Sequence, residues 1–340
     1  MKYSQSSSAH IIILITFMSL LYLPCLGTPS LSGSSELRYA EVAKETLEDG
    51  HWVVPYFNGE IYYHKPPLFF CIVALLSKAT GSITEVTARL PSVLGAFGTV
   101  LVTYSLGKSL FGRRAGLLAA LILACTPKFY HYTRAVRLDV AYTFFVTSAL
   151  ASFYYGYTYK QRTYLFLSGS MIALAALTKG PLTLYFPAAI IFLYLAYCHD
   201  LRFLVSRNCL LGVVVLLLTI LVWVIPACME GGCNYINGFI PNNITKYATK
   251  SAEWDVPLEY LGDVFIGAAP WALFFPMVLY HYFSSGARHK ETTFLLIWMS
   301  VIFLSFCLTF ERRSPYLLPI YPALSIMIAS YFDTHLEARQ

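Results

Sequence analysis

The sequence predicts an all-α polytopic membrane protein, and three observations carry that reading. Of the 340 residues, 57% are hydrophobic and only 12% are charged, and a mean hydropathy of +0.59 lies above the range of soluble domains. Apolar runs able to cross about 30 Å of hydrocarbon as helices recur along the whole chain. These runs do not alternate polar and apolar residues as barrel strands do, so a helical bundle is expected. The net charge of +6 is modest for a membrane protein, whose short inner loops carry lysine and arginine by default, and gives no reason to expect nucleic acid.

In chain order, the first apolar run is Ile11–Leu26. It follows Lys2 and lacks a small-residue cleavage site, so a retained span is expected in place of a signal peptide. The polar stretch after it reads as three pieces. Leu37, Ala40, Ala43 and Leu47 recur at helical spacing between Ser35, a candidate N-cap, and Gly50, a stop; they predict a short amphipathic helix on the membrane surface. WVVPYF and EIYY flank Asn58-Gly59, a strong hairpin signal. His64-Lys65-Pro66-Pro67 then opens the run Leu68–Leu76, which is too short to span and suits a re-entrant or interfacial helix.

Further spans are expected at Leu90–Leu110, Leu117–Tyr130, Val140–Tyr157, Leu165–Leu177 and Leu182–Tyr197. Leu210–Ala227, Leu261–Tyr280, Thr292–Phe310 and Leu317–Tyr331 complete the set. The result is about ten transmembrane helices in one membrane domain, 1–340, with both termini inside and no soluble C-terminal domain. Residues 27–89 form a long first extracytoplasmic loop with juxtamembrane helices, and residues 228–257 form a second.

Short basic turns such as GKSLFGRRAG mark the inner side. Many other bases fall on the outer side of this topology: Arg38, Lys44 and Lys65, then Arg134 and Arg137, Lys179, Lys246 and Lys250, and Arg312 and Arg313. Bases that run against the usual bias and converge from five loops suggest an anion site. Most of the eight cysteines sit singly in apolar runs as small hydrophobes; only Cys228 and Cys233 are spaced for a disulfide, and no pattern suggests zinc.

Lysine and arginine ringed by tyrosines, with a few carboxylates at a membrane face, suit a phosphate carried on a lipid tail. Guanidinium forks bind phosphate oxygens bidentately and a carboxylate can take a proton from an acceptor hydroxyl. Asp139 and Glu36 are the candidate catalytic carboxylates. Each has a plainer reading: Asp139 as the cap of a helix starting at Val140, Glu36 as a helix-dipole partner. Arg38 and Arg137 are candidate phosphate ligands, or partners of Glu41 and Asp139. Tyr63 stands close to Lys65 in the same stretch. Glu259 and Asp263, four apart on one helical face, form a second acidic patch suited to solvent or acceptor contact. The sequon Asn243-Ile244-Thr245 reads as incidental.

In order, ELRYAEVAKE, NGEIYYHKPPL, LFGRRAGLLAA, RAVRLD, TKGP, NNITKY, GAAPW and RRSPYLLPIYP resemble the motifs of the bacterial protein-mannosyltransferase and lipid A aminoarabinose transferase superfamily. The resemblance covers about Leu31 to Ser330. It implies a GT-C-type bundle and an inverting membrane glycosyltransferase of the bacterial inner membrane. Such an enzyme moves a sugar from a polyprenyl phosphate to an extracytoplasmic acceptor such as lipid A, another glycolipid, a glycan or a protein.

By the same resemblance Lys65 and Lys246 contact the lipid phosphate, Asp139 is functionally important, and Arg313 and Tyr316 line the donor site. Two departures stand out. Relatives open with P-D-E-x-R-Y where this chain has Ser35-Glu36, so the first acid is missing; an impaired paralogue that binds or transports polyprenyl-linked sugars is the alternative. His64 replaces the glutamate of E-K-P-P and is the one candidate ligand for a divalent metal.

Overall fold

The computed structural model describes residues 7–244, 256–284, 290–307 and 314–337. Its first helix, α1 (Ser7–Tyr22), leads to α2 (Gly33–Glu48), which forms over the polar stretch where a short helix is expected. That helix begins earlier than its sequence signals suggest, with Ser32 at the N-cap, so Ser35 lies inside the first turn. The hairpin forms where expected: β1 (Tyr56–Phe57) pairs antiparallel with β2 (Glu60–Ile61). Asn58 and Gly59 both take positive φ, the backbone a two-residue hairpin turn requires. The Glu45 carboxylate on α2 accepts the amides of Asn58 and Gly59, which fastens the turn to the helix.

The apolar run after Pro67 is α3 (Leu68–Ser77), and α4 (Glu85–Phe111) follows behind a Thr84–Thr87 capping box. Next come α5 (Arg113–Ala124), α6 (Pro127–Thr133), α7 (Leu138–Tyr159) and α8 (Arg162–Lys179). α7 is buried on nearly every face, the state expected of a helix apolar all round. It packs on α4 and α8, and α8 in turn on α10 (Arg207–Ile244), with α9 (Tyr185–Tyr197) alongside α7. α10 breaks at Gly232, whose φ of 63° and ψ of −172° leave the helical region. Closing the chain are α11 (Val256–Gly267), α12 (Phe275–Ser284), α13 (Lys290–Cys307) and α14 (Tyr321–Glu337).

Among the described residues, four helices are long and apolar enough to cross a membrane, and six if each of two sharply bent pairs counts as one span. The bent pairs join α6 to α7 at 117° and the α11 region to α12 at 114°. The expectation of about ten spans thus meets support for four to six by length and composition. Part of the shortfall has a physical reason: α1 and the Pro181–Tyr197 segment are apolar but shorter than a full crossing, as is α3, which the sequence already reads as too short to span.

Candidate functional site

The site is assembled where α7 and α8 meet. These helices form an antiparallel hairpin about a turn at Lys160, whose φ of 56° reverses the chain. The start of α7 and the end of α8 therefore lie together. Asp139 sits in the first turn of α7 and Lys179 is the last residue of α8, each favoured by the dipole of its helix end. Their side chains pair at 2.8 Å, both 5% exposed. The cap expected of Asp139 is absent: Arg137 holds the N-cap position and the Asp139 carboxylate turns to Lys179 instead.

Local sequence fixes Lys179. Gly180, at φ 121°, ends α8 in a conformation that side chains resist, and Pro181 opens a 3-10 turn, Pro181–Leu184. TKGP is thus a helix stop that leaves its lysine aimed at α7. The Lys179 ammonium lies 4.7 Å from the Tyr142 ring centre and 4.1 Å from that of Tyr316, a two-sided aromatic cage. Lys65 donates from Nζ to the Lys179 carbonyl oxygen at 3.4 Å. The charges whose fields reach Asp139 are those of Lys179, Arg137 and Lys65.

A cavity of about 30 Å³ adjoins this cluster, lined by Tyr142, Lys179, Gly180, Asn243, Phe306 and Tyr316 among others. It has room for a water and none for a sugar ring. Asn243 closes one wall: it is 4% exposed and its amide donates to the Tyr63 and Phe239 carbonyls. The residue that reads as an incidental sequon is a packed bridge between the first loop and the end of α10.

Of the residues singled out from the sequence, Lys65, Arg137, Asp139 and Tyr316 are brought together around Lys179. Arg38 is half-buried on α2 beside Tyr39. Burial pushes the Tyr39 hydroxyl above the ordinary tyrosine range, Asp139 and Tyr62 reinforce the shift, and Arg137 and Arg38 oppose it. Tyr63 stacks on Tyr235 at 5.8 Å, and its carbonyl is linked to the cluster through Asn243. Lys246 and Arg313 lie outside the described residues, as does the Cys233 side chain; Cys228 is exposed.

Glu36 is placed differently. It is 7% exposed, with Oε1 accepting the Val136 amide at 2.7 Å and Oε2 the Ser32 amide at 3.1 Å. Arg89, 3% exposed, stands 3.6 Å from Oε2. Asp263 does not simply face solvent: it pairs with Lys128 of α6. His64 packs edge-on against Tyr62, and among the described residues no group of three or more His, Cys, Asp or Glu side chains is placed to hold a metal.

Asn243 is the functional candidate that sequence reasoning passes over; Lys179 appears there among the bases of the anion site, without its partner. TKGP flagged the lysine as part of a motif, but its pairing depends on the hairpin of α7 and α8 closing with matched lengths.

Comparison with known proteins finds relatives along most of the chain. The family model described as dolichyl-phosphate-mannose-protein mannosyltransferase matches residues 64–225. A protein of Aquifex aeolicus (strain VF5), described as uncharacterized, is 30% identical over 318 residues, which are 93% of this chain and 62% of that protein. An undecaprenyl phosphate-alpha-4-amino-4-deoxy-L-arabinose arabinosyl transferase of Yersinia pestis (strain Pestoides F) is 28% identical over 338 residues, 97% of this chain and 60% of the relative.

Among solved structures, ArnT from Cupriavidus metallidurans bound to undecaprenyl phosphate matches with a TM-score of 0.86 at 23% identity, covering 96% of this chain and 61% of that one. The Archaeoglobus fulgidus oligosaccharyltransferase in the apo form matches at 0.59 with 13% identity, covering 99% and 52%. At these identities the structures speak for the fold. The chain spans about three fifths of the length of the curated relatives it matches.

Proposed function

The chain belongs to the bacterial protein-mannosyltransferase and lipid A aminoarabinose transferase superfamily of GT-C membrane glycosyltransferases, and on that premise we propose that it transfers a sugar from a polyprenyl-phosphate donor to an extracytoplasmic acceptor. The observation that carries this reading is the buried Asp139–Lys179 pair, caged by Tyr142 and Tyr316 and joined by Lys65.

In the proposed reaction the acceptor hydroxyl oxygen attacks the anomeric carbon from the face opposite the phosphate. The bond from that carbon to the phosphate oxygen breaks, its electrons stay with the phosphate, and the configuration inverts. The hydroxyl proton passes to Asp139. Lys179 occupies Asp139 at rest, so the incoming phosphate has a second task beyond binding: it draws Lys179 away and leaves Asp139 able to act as base.

A sugar phosphodiester carries about one negative charge and the released phosphate monoester approaches two at neutral pH. Lys65, Lys179 and Arg137 therefore interact more strongly with the departing group than with the bound donor, and such differential stabilisation accelerates the reaction. The cavity accommodates a water as it stands, so the sugar enters by parting its walls. Tyr316 and Asn243 are the side chains that must shift.

The same reading assigns the ten apolar segments to a single membrane domain, with residues 27–89 and 228–257 on the extracytoplasmic face of a bacterial inner membrane. Lys246 and Arg313 complete the donor site by family resemblance, and Arg38 contributes from α2. The test uses the protein reconstituted in vesicles with a radiolabelled sugar on undecaprenyl phosphate. Transfer to extracted envelope glycolipids or glycoproteins, with release of undecaprenyl phosphate, is the expected result. No turnover across a panel of sugars, with undecaprenyl phosphate still bound, would instead favour a binding or transport protein.

A further inference from the structure

Arg89 is 3% exposed, and an arginine so buried must satisfy its donors within the protein. Nη1 donates to the carbonyls of Leu26 and Pro29, each at 2.7 Å, and Nη2 to that of Ser30 at 3.3 Å. Its charge is met by Glu36. One guanidinium thus gathers the end of the leader and the first turn of α2 onto the start of α4.

The next turns of α4 continue the contact. The Ser92 hydroxyl meets both the amide and the carbonyl of Arg137, at 3.1 and 3.0 Å. Gly95 sits one turn further on; a Cβ there would stand 3.0 Å from the Ala141 Cα, so the bare backbone lets α4 press against α7. Arg89, Ser92 and Gly95 recur every third residue and share one helix face. Glu36 completes the grip by accepting the Val136 amide, 100 residues along the chain.

Val136 and Arg137 are the residues that lead into Asp139. Their backbone is therefore held from two sides, by a carboxylate of α2 and a hydroxyl of α4, immediately before the candidate base. We propose that Glu36, Arg89 and Ser92 form a buried clasp that positions Arg137 and Asp139, and that Glu36 acts as a positioning residue without taking part in proton transfer. Both Glu36 oxygens are committed to backbone amides. The clasp also sets the rotation of α2, whose Tyr39, three residues on, lies within the field of Asp139.

The role in catalysis rests on the transferase reading; the clasp itself does not, and the experiment separates the two. Amide hydrogen exchange of the full-length protein in nanodiscs reads the clasp directly, through the peptide covering residues 134–139. Glu36→Ala and Ser92→Ala should each accelerate exchange there by about tenfold or more, the loss of one hydrogen bond to a buried amide. Thr219→Ala, on α10, should leave that peptide unchanged.

Binding of undecaprenyl phosphate to the same samples reads the consequence. Glu36→Ala should weaken it about tenfold through displaced Arg137, while Glu36→Gln, whose amide oxygen still accepts the Val136 amide, should weaken it less than about threefold with an unaltered pH profile. If Glu36→Ala does not fold, Ser92→Ala and Glu36→Gln decide the matter alone. Wild-type exchange rates in Ser92→Ala and Glu36→Ala would overturn the clasp. Abolished transfer in Glu36→Gln, with residues 134–139 still protected, would return Glu36 to the chemistry. Failure of the wild type to bind undecaprenyl phosphate would sink the transferase reading, and the exchange data would still decide the clasp.

Discussion

Glu36 and Asp139 are both buried carboxylates at the first turn of a helix, and each forms an ion pair with a buried base. Glu36 gives both oxygens to backbone amides, and its partner Arg89 is itself consumed by three carbonyls. Asp139 meets a lysine that also lies against two tyrosine faces and borders a small cavity. The first arrangement is enclosed by backbone amides and carbonyls, and the second borders a cavity, where the proposed reaction exchanges Lys179 for a ligand. Burial and a salt bridge alone therefore do not separate a structural carboxylate from a candidate base; what surrounds the pair is the added criterion.

The sharpest way to break that comparison is to neutralise Asp139. Asp139→Asn should lower transfer by about 10²–10⁴-fold, the usual contribution of a positioned base, while undecaprenyl phosphate binding persists. Parallel turnover and equilibrium-binding measurements check both halves.

Removing the partner is nearly as severe. Lys179→Met strands a buried carboxylate and should cost about 3–5 kcal/mol of stability, read as a lowered thermal midpoint in detergent. Restoring that midpoint in the double variant Lys179→Met with Asp139→Asn would identify the stranded charge as the cause.

Lys65→Ala comes next. Loss of one charged donor to phosphate should weaken undecaprenyl phosphate binding by about 10- to 100-fold, with little change in folding because Lys65 is only half-buried. An unchanged affinity would remove Lys65 from the phosphate site.

The smallest effect belongs to Tyr39, between the two carboxylates. Its hydroxyl is held above the ordinary tyrosine range, chiefly by burial. The folded state then keeps a proton that the unfolded state begins to lose near pH 10, so stability is fully present below that pH and falls above it. Tyr39→Phe should match the wild type at pH 7 and decline less steeply above pH 10, by ~1.4 kcal/mol per pH unit for one group. Thermal midpoints at pH 9 and pH 11 would show it.

How much of this was legible in the sequence follows from the range of each interaction. The hairpin at Asn58-Gly59 and the helix α2 rest on neighbours along the chain; the hairpin stands where the sequence puts it, and the helix forms over the expected stretch but begins earlier. Lys65, Asp139, Arg137 and Tyr316 were marked by motif, and they do converge. What could not be read was the identity of partners. Nothing near Glu36 announces that Arg89 and Val136 will enclose it, and nothing near TKGP announces Asp139. The start of α2 at Ser32 and the packing of Asn243 were missed for the same reason: local patterns offered Ser35 a cap and Asn243 a sequon, and contacts from distant segments decided otherwise.

The most direct measurement sets the two carboxylates side by side in one vesicle assay with a polyprenyl-phosphate sugar donor. The account predicts that Asp139→Asn loses transfer by at least about a hundredfold and Glu36→Gln by about tenfold or less. Equal losses, or a larger loss in Glu36→Gln with the fold intact, would contradict it.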